Sequence, residues 1–277
     1  MNTLAAFSRL YRLDVAVVTF GAALAGPYFS AGTFSATDVA TAAFISLVLY
    51  NYVYVLNALT DRATDAISHP ERPFPSGRLD FIQAAGYLVM LVHLAVAGSI
   101  LLFTGPALFL ALLVVFLGTL YSASPFELKK HPVLAIALTA WGMAHPFFIT
   151  AHASKLPLGG AFILVAIGVV AFKDIGDAGG DTAAGRRSIL AVVSLRALGV
   201  LSLASFLTAA IAFILLDLPI LVALPAFTGA MLLYHRARGP LEKSVPLLYT
   251  RLIRSALAAI VGIIIVVVAD LLCAGGT

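Results

Sequence analysis

The sequence predicts an all-α, polytopic membrane protein, a bundle of about nine transmembrane helices around a central cavity. Three observations support this: 61% of the 277 residues are hydrophobic and only 11% are charged, the mean hydropathy is +1.04, and apolar stretches of spanning length recur along the whole chain. Soluble domains carry about 25% charged residues, so most of the exterior must face lipid. The single cysteine, Cys273, excludes an internal disulfide framework and a cysteine-based zinc cluster.

Nine apolar stretches are long enough to cross a membrane, since a spanning helix needs about 20 mostly apolar residues. They cover residues 14–32, 38–58, 81–103, 106–121, 132–152, 157–173, 192–215, 218–235 and 252–273. Only Thr104-Gly105-Pro106 separates the third stretch from the fourth, so eight spans is the alternative. We expect a retained first span and no removed signal peptide, because no small-residue cleavage pattern follows it. We treat residues 1–277 as one domain.

The basic residues fall on one side of these predicted spans. Of the 17 Lys and Arg residues, 16 lie in or beside the N-terminal segment and the loops after spans two, four, six and eight, and only Lys155 lies opposite. Short loops rich in Lys and Arg stay in the cytoplasm. This predicts an N-terminus inside and a C-terminus outside, in the inner or plasma membrane if the cell is bacterial. The net charge of +4 then reflects topology and an inner face suited to phosphate-rich ligands, with no nucleic-acid partner.

Two acidic segments end predicted spans on the cytoplasmic side. In the first, Asn57, Asp61 and Asp65 are four residues apart, a spacing that puts them on one face of a helix. The second segment repeats the spacing and contains Lys173, Asp174, Asp177 and Asp181. The two segments lie 116 residues and four spans apart. This offset indicates two four-helix halves and one further helix, with both segments facing one cavity.

Magnesium is the ligand that best explains these clustered carboxylates. A charge well inside a bilayer costs about 2.5–3.5 kcal/mol, and neighbouring carboxylates repel each other unless cations bridge them. Mg²⁺ binds one or two carboxylates together with substrate phosphates. Four carboxylates and a diphosphate carry a charge of about −7, and two Mg²⁺ ions neutralise about four of these negative charges. Basic residues on the same face supply the remainder: Arg72, Lys129, Lys130, Lys173 and Arg186. Solvated loop charges or helix caps are the alternative, which suits a single Asp better than two spaced pairs.

These residues resemble the signatures of the UbiA-type intramembrane prenyltransferases. Asn57-x-x-x-Asp61-x-x-x-Asp65, followed by Pro70-Glu-Arg72-Pro73-Phe-Pro75-Ser76-Gly77, looks like the first family motif. Lys173-Asp174-x-x-Asp177-x-x-Gly180-Asp181 looks like the second, and Tyr121-Ser122 with Lys129 is similar to a third, looser feature. The resemblance extends over the whole chain. One position departs from it, because Ala58 follows the asparagine where the family usually has Asp.

The resemblance implies a role for each residue of the two motifs. Catalysis would depend on Asp61, Asp65, Asp177 and Asp181. One Mg²⁺ would be held by Asp61 and Asp65 with Asn57, and a second by Asp177 and Asp181 with Asp174. The prenyl diphosphate would be bound by Asn57, Arg72, Tyr121, Ser122, Lys129, Lys130 and Lys173. Its isoprenoid tail would lie in an apolar tunnel between spans that is open to membrane lipid.

The resemblance also implies transfer of the prenyl group to a small aromatic or other acceptor. The form of the second motif looks closer to the homogentisate, chlorophyll and archaeal-lipid branches than to the 4-hydroxybenzoate branch. A membrane terpene cyclase with the same diphosphate site is one alternative. A secondary transporter is another, although its carboxylates would be expected near the midplane. A CDP-alcohol phosphotransferase is disfavoured because its DGxxAR motif is absent.

Polar residues within the predicted spans can be interpreted in two ways. His93 and His145 are expected to bond to backbone as packing residues, with contact to the acceptor as the alternative for a histidine in this position. Asn51, Tyr52 and Tyr54 either line the tunnel or form interhelical hydrogen bonds.

Overall fold

The computed structural model describes residue 10, residues 13–70, 72–172 and 189–237, and residues 251 and 254. This described part is helical and has no β-strand. Its helices are α1 (Leu13–Ala31), α2 (Ala36–Thr60), α3 (Arg62–Ser68), α4 (Phe81–Leu102), α5 (Gly105–Ser122), α6 (Pro132–Thr150), α7 (Leu156–Val170), α8 (Leu195–Leu215) and α9 (Ala223–Ala237). Short 3₁₀ turns at Leu128–Lys130, Ala153–Lys155, Ile189–Ala191 and Pro219–Val222 connect some of them.

Eight of the nine predicted spans coincide with apolar helices. Among the described residues, six helical stretches are long and apolar enough to cross a membrane, and Val15–Ala31 and Pro219–Leu233 are shorter apolar helices. The chain is extended at Phe103 and Thr104 and has a positive φ of 53° at Gly105, so α4 and α5 are separate helices. The third and fourth predicted spans are therefore separate helices. The ninth predicted span, residues 252–273, lies outside the described residues.

The described helices pack into two apolar clusters. The first joins α1, α2, α4 and α5, and the second joins α6, α7, α8 and α9. Residues on α1 and α6 contact both clusters, because these two helices pack against each other along their length. The division into two groups of four agrees with the two halves expected from the offset between the acidic segments.

The helices at the outside of the bundle present apolar side chains. On α4 and α8, Leu101 is 83% exposed and Leu215 is 80% exposed, and α5 exposes Phe109 and Phe116. Side chains this apolar would be costly in water, whereas lipid tails solvate them without cost. This belt has the character of a lipid-facing surface.

Small residues and hydroxyl-to-backbone hydrogen bonds allow the helices inside the bundle to approach closely. At the crossing of α1 and α6, Gly26 lies against Thr150, whose hydroxyl donates to the Ala23 carbonyl at 2.7 Å. At the crossing of α7 and α8, the Ser202 hydroxyl donates to the Gly168 carbonyl at 2.8 Å. Small residues and hydroxyl-to-backbone bonds are typical of membrane helix interfaces.

A π-helical segment interrupts α2 at Ile45–Tyr50. Such segments shift the faces of a helix relative to one another and are frequent at functional sites. The segment begins beside a polar contact with α1, where the Ser46 hydroxyl donates to the Ala16 carbonyl at 2.7 Å and accepts from the Thr19 hydroxyl at 3.2 Å. The sequence analysis did not predict this change of winding.

The α1–α6 crossing is sensitive to one methyl group. An added Cβ at Gly26 would lie 2.1 Å from Thr150 Oγ1 and 2.8 Å from the Ala151 backbone nitrogen. We expect Gly26→Ala to lower the free energy of unfolding by about 1–3 kcal/mol, the usual effect of overpacking. Gly86→Ala on α4 is the matched control, because an added Cβ there would meet no atom within 4 Å beyond its own stretch of helix. Thermal unfolding in detergent measures both, and equal midpoints would contradict the expectation.

Candidate active site

The first acidic segment lies where α2 passes into α3. The two helices are separated only by Asp61, whose φ and ψ are −90° and 5°. Helical hydrogen bonds continue across it: the Asp61 N–H donates to the Asn57 carbonyl at 2.8 Å, and the Asp65 N–H donates to the Asp61 carbonyl at 2.7 Å. The four-residue spacing in the sequence is therefore a helical spacing in the structure, and it keeps the three side chains in succession along the end of α2.

Lys129 connects this helix end to the loop between α5 and α6. Its ammonium group lies 2.8 Å from the Asp61 carboxylate and donates to the Thr60 hydroxyl at 2.7 Å. It also approaches Asn57 Oδ1 at 3.4 Å, and the Ser122 hydroxyl donates to the same oxygen at 3.2 Å. Only 6% of the Lys129 side chain is exposed. The ammonium group is thus a buried cation that binds the carboxylate, amide and hydroxyl oxygens of α2.

Arg72 neutralises the second carboxylate from the other side. The segment after α3 folds back through a series of backbone turns in which the Ser76 N–H donates to the Arg72 carbonyl at 3.0 Å. Phe74 and Leu79 anchor the segment in the first apolar cluster. This turn brings the Arg72 guanidinium to 2.5 Å from the Asp65 carboxylate.

The Asp65 carboxyl group is buried in a way that disfavours its charge. Burial raises the pKa of Asp65 above its usual value, and the hydrogen bond and charge of Arg72 oppose this rise only in part. The neighbouring Asp61 charge adds to the increase. Among the described residues, each of the two carboxylates is therefore paired with a cation from another segment.

The other predicted residues lie at different places. Ser122 is fully buried at the end of α5 and contacts Asn57, whereas its neighbour Tyr121 is half-buried. Lys130 pairs with Glu127, and 49% of its side chain is exposed. The two lysines have different partners because they follow one another in a 3₁₀ turn, so their side chains leave the backbone in different directions. The turn starts after Glu127, whose backbone is left-handed (φ 41°). The predicted residues of the second acidic segment, Lys173, Asp174, Asp177 and Asp181, lie outside the described residues.

Thr60 is a site residue that the sequence analysis missed. Its hydroxyl accepts from Lys129 and donates to the Asn57 carbonyl at 3.1 Å. Its position immediately before Asp61 was the available signal, but a threonine at a helix end usually indicates only a local backbone bond.

The donor set of the first segment fits a hard cation. Asp61, Asp65 and Asn57 present oxygen atoms from successive helical turns, and Mg²⁺ prefers oxygen ligands. In the described part of the chain, no three His, Cys, Asp or Glu residues cluster as a metal site. Two carboxylates from this segment therefore need further oxygen ligands, and phosphate oxygens of a substrate are the usual ones for Mg²⁺.

The buried ion pair of Lys129 and Asp61 predicts unequal effects for two adjacent lysines. We expect Lys129→Met to lower the free energy of unfolding by about 3–5 kcal/mol, because the largely buried Asp61 carboxylate loses its 2.8 Å ion pair with the ammonium group. Lys130→Met removes an exposed partner and should cost less than about 1 kcal/mol. Chemical unfolding in detergent compares them. Adding Asp61→Asn to Lys129→Met should restore most of the loss, and failure to do so would contradict this explanation.

Comparisons with known proteins identify the family. The model of the "UbiA prenyltransferase family" matches residues 15–247. The chain is 32% identical over 151 residues to the bacteriochlorophyll synthase 34 kDa chain of Chloroflexus aurantiacus. The matched region covers 51% of this chain and 48% of that protein, so it spans about half of the relative's length. It is 26% identical over 209 residues to digeranylgeranylglyceryl phosphate synthase of Methanoculleus marisnigri, which is 73% of each chain.

The fold also matches a solved structure. A UbiA homolog from Archaeoglobus fulgidus, bound to GPP and Mg²⁺, has a TM-score of 0.67 over 92% of this chain and 99% of that chain, at 16% identity. At this identity the comparison shows a common fold. The apolar helices and the fold together make the protein an integral, multi-pass membrane protein. With the family model covering residues 15–247, the chain belongs to the UbiA prenyltransferase family.

Proposed function

We propose that this protein is a Mg²⁺-dependent membrane prenyltransferase, which moves an isoprenoid group from a prenyl diphosphate to a lipophilic or aromatic acceptor. The observation that carries the proposal is the arrangement at the end of α2. There, two carboxylates a helical turn apart are each bound to a basic side chain from another segment, beside the amide oxygen of Asn57. Carboxylates, an amide and basic groups together suit a metal-bound diphosphate.

The metal ligands come from both acidic segments in this proposal. Asp61 and Asp65, with Asn57, would hold one Mg²⁺. Asp177 and Asp181, with Asp174, would hold a second. Bound at these carboxylates, the two ions would stabilise the negative charge that develops on the departing diphosphate. The solved Archaeoglobus fulgidus homolog, which shares the fold and was bound to GPP and Mg²⁺, supports this choice of donor and metal.

The basic residues have two successive partners in the reaction cycle that we propose. In the structure, Lys129 neutralises Asp61 and Arg72 neutralises Asp65. With Mg²⁺ bound at the carboxylates, both side chains would bind the diphosphate oxygens. Ser122 and Tyr121 border the same position at the end of α5. Lys130 and Lys173 would add positive charge in this proposal.

The transfer itself breaks one bond and forms another. The bond between the first carbon of the prenyl group and the diphosphate oxygen breaks, and its electron pair leaves with the diphosphate. The acceptor supplies an electron pair to that carbon and loses one proton, so charge and atoms balance. The isoprenoid tail would run between apolar helices toward the lipid, which needs no water-filled pocket.

The orientation that we propose places this site at the cytoplasmic face, with the N-terminus inside and the C-terminus outside. The charge distribution supports it, because Arg72, Lys129 and Lys130 lie on one side and Lys155 on the other. Prenyl diphosphates are charged at one end, so a site at the aqueous border of the cytoplasm receives the charged end while the tail stays in lipid.

Removing one carboxylate tests the enzymatic function. We expect Asp61→Asn and Asp65→Asn each to reduce Mg²⁺-dependent consumption of radiolabelled farnesyl diphosphate at least about 100-fold, since a metal contributes several kcal/mol to the transition state. Asp38→Asn is the matched control and should stay within about twofold of the unaltered protein. Asp38 is half-buried and caps the opposite end of α2 with Ser35. Turnover that needs no Mg²⁺, or full activity of Asp61→Asn, would refute the proposal.

Cysteine labelling tests the orientation. Ser76 and Ser154 are exposed in loops at opposite ends of the bundle. In a Cys273→Ser background, we expect a membrane-impermeant maleimide added to intact cells to label Ser154→Cys and to leave Ser76→Cys unlabelled until the membrane is opened. The reverse pattern would show the opposite topology.

A further inference from the structure

The helices α2 and α5 cross closely just before they reach the site. Gly118 of α5 lies against Val53 of α2, and we call this contact the α2–α5 crossing. Four residues further along both helices, the Ser122 hydroxyl donates to Oδ1 of Asn57 at 3.2 Å. Equal steps of one helical turn on both helices mean that α2 and α5 run parallel here. The α2–α5 crossing therefore lies one turn from the polar contacts of the site.

The α2–α5 crossing leaves no space for a side chain at position 118. Gly118 is buried, and an added Cβ would lie 2.6 Å from Cγ2 of Val53 and 3.3 Å from its Cγ1. Val53 is β-branched, so its side chain has one strongly preferred rotamer in a helix and does not turn away easily. Carbon atoms pack at about 3.5–4.0 Å. A methyl group at position 118 would therefore move the two helices apart by about 1 Å.

A pair of hydroxyl groups beside Gly118 fixes how α5 is turned about its axis. The Thr119 hydroxyl donates its one proton to the Val115 carbonyl at 2.7 Å. The Tyr52 hydroxyl lies 2.6 Å from the Thr119 oxygen and must be the donor in that contact, because a hydroxyl has a single proton to give. This bond between the helices keeps the face of α5 that carries Gly118 and Ser122 directed at α2.

The polar contacts at the end of the two helices depend on this close approach. Oδ1 of Asn57 accepts from Ser122 at 3.2 Å and lies 3.4 Å from the Lys129 ammonium group. Hydrogen bonds usually have donor–acceptor distances of about 2.5–3.2 Å and weaken beyond them. Both contacts are already long, so a further separation of about 1 Å would break them.

The same two contacts fix the orientation of the Asn57 amide. The Lys129 ammonium group has only protons to donate, so the amide oxygen faces it and the amide nitrogen does not. The Ser122 hydroxyl donates to the same oxygen. Mg²⁺ takes oxygen ligands, and Asn57 would supply one in the proposed function. The position of α5 therefore bears on the metal ligand as well as on Lys129.

We propose that Gly118 is a positioning residue for the reaction. The close α2–α5 crossing that it permits sets the reach of Ser122 and Lys129 to the oxygen atoms of α2, and through them the affinity for the metal-bound prenyl diphosphate. The inference rests on the proposed function and deepens its account of the donor site. Gly118 touches neither substrate nor metal in this arrangement. Val53 forms the other half of the contact, so the two positions must match in size.

Donor binding tests the inference without knowledge of the acceptor. The probe is radiolabelled farnesyl thiodiphosphate, an unreactive donor analogue, whose Mg²⁺-dependent binding is measured on the full-length protein in lipid nanodiscs. We expect Gly118→Ala to weaken this binding at least about tenfold, because a displacement of about 1 Å at a site of this kind is costly.

A second glycine that contacts α2 provides the matched control. An added Cβ at Gly98 of α4 would lie 2.4 Å from the ring of Phe44. Phe44 is about 20 Å along α2 from Asn57, at a rise of 1.5 Å per residue. Gly98→Ala should lower the thermal unfolding midpoint as Gly118→Ala does, but leave the affinity for the analogue within about twofold of the unaltered protein. The comparison separates a packing defect from a displaced site.

Shortening the facing side chain should restore the site. Val53→Ala deletes both methyl groups that the new Cβ would meet. We expect the double variant Gly118→Ala with Val53→Ala to recover an affinity within about threefold of the unaltered protein. Val53→Ile enlarges the other half of the contact by one carbon atom and serves where Gly118→Ala does not fold. It should weaken binding of the analogue about threefold.

The possible results distinguish this inference from the proposed function. The positioning role is overturned by an unchanged affinity in Gly118→Ala (or in Val53→Ile, where Gly118→Ala does not fold), by an equal loss in Gly98→Ala, or by no recovery in the double variant. Each of these results leaves the donor site in place. No Mg²⁺-dependent binding of the analogue to the unaltered protein would overturn the proposed function, and the positioning role with it.

Discussion

Buried charge at the end of α2 is the constraint on which the arrangement of the site depends. Asp61 and Asp65 lie against apolar helices, where an ionised carboxylate without a partner is strongly destabilising. Each is therefore paired with a cation, and each cation comes from a segment that would otherwise be a simple connection between spans. The turn that carries Arg72 and the 3₁₀ turn that carries Lys129 both lie at the end of α2, where their cations pair with the two carboxylates.

This arrangement has a consequence for ligand binding. In the reaction that we propose, Mg²⁺ would neutralise the two carboxylates in place of Lys129 and Arg72, and the two basic side chains would then bind the diphosphate oxygens. No charge would have to be buried alone, because cations and anions would enter the site together. The scaffold supports this exchange: α2 belongs to the first apolar cluster, and the contact between α1 and α6 joins that cluster to the second.

The α2 helix also links two kinds of chemistry along its length. Its end carries hard oxygen ligands and charge, whereas the region of Tyr50 and Asn51, at the end of the π-helical segment, carries neutral hydrogen-bonding groups in an apolar surrounding. The polarity of the face falls from the membrane border toward the interior, as the bilayer itself does.

The helices and the four-residue spacing of the first acidic segment follow from the amino-acid sequence. Backbone groups in lipid must be satisfied within the segment, so an apolar stretch of spanning length has little choice but to be a helix. For the same reason Asn57, Asp61 and Asp65 keep their helical register through the break at Asp61. Tertiary structure alone decided which of two adjacent lysines meets a carboxylate and how Tyr50 finds His145, 95 residues away. Local geometry follows from neighbours in the chain, whereas partners across helices depend on how the whole bundle packs.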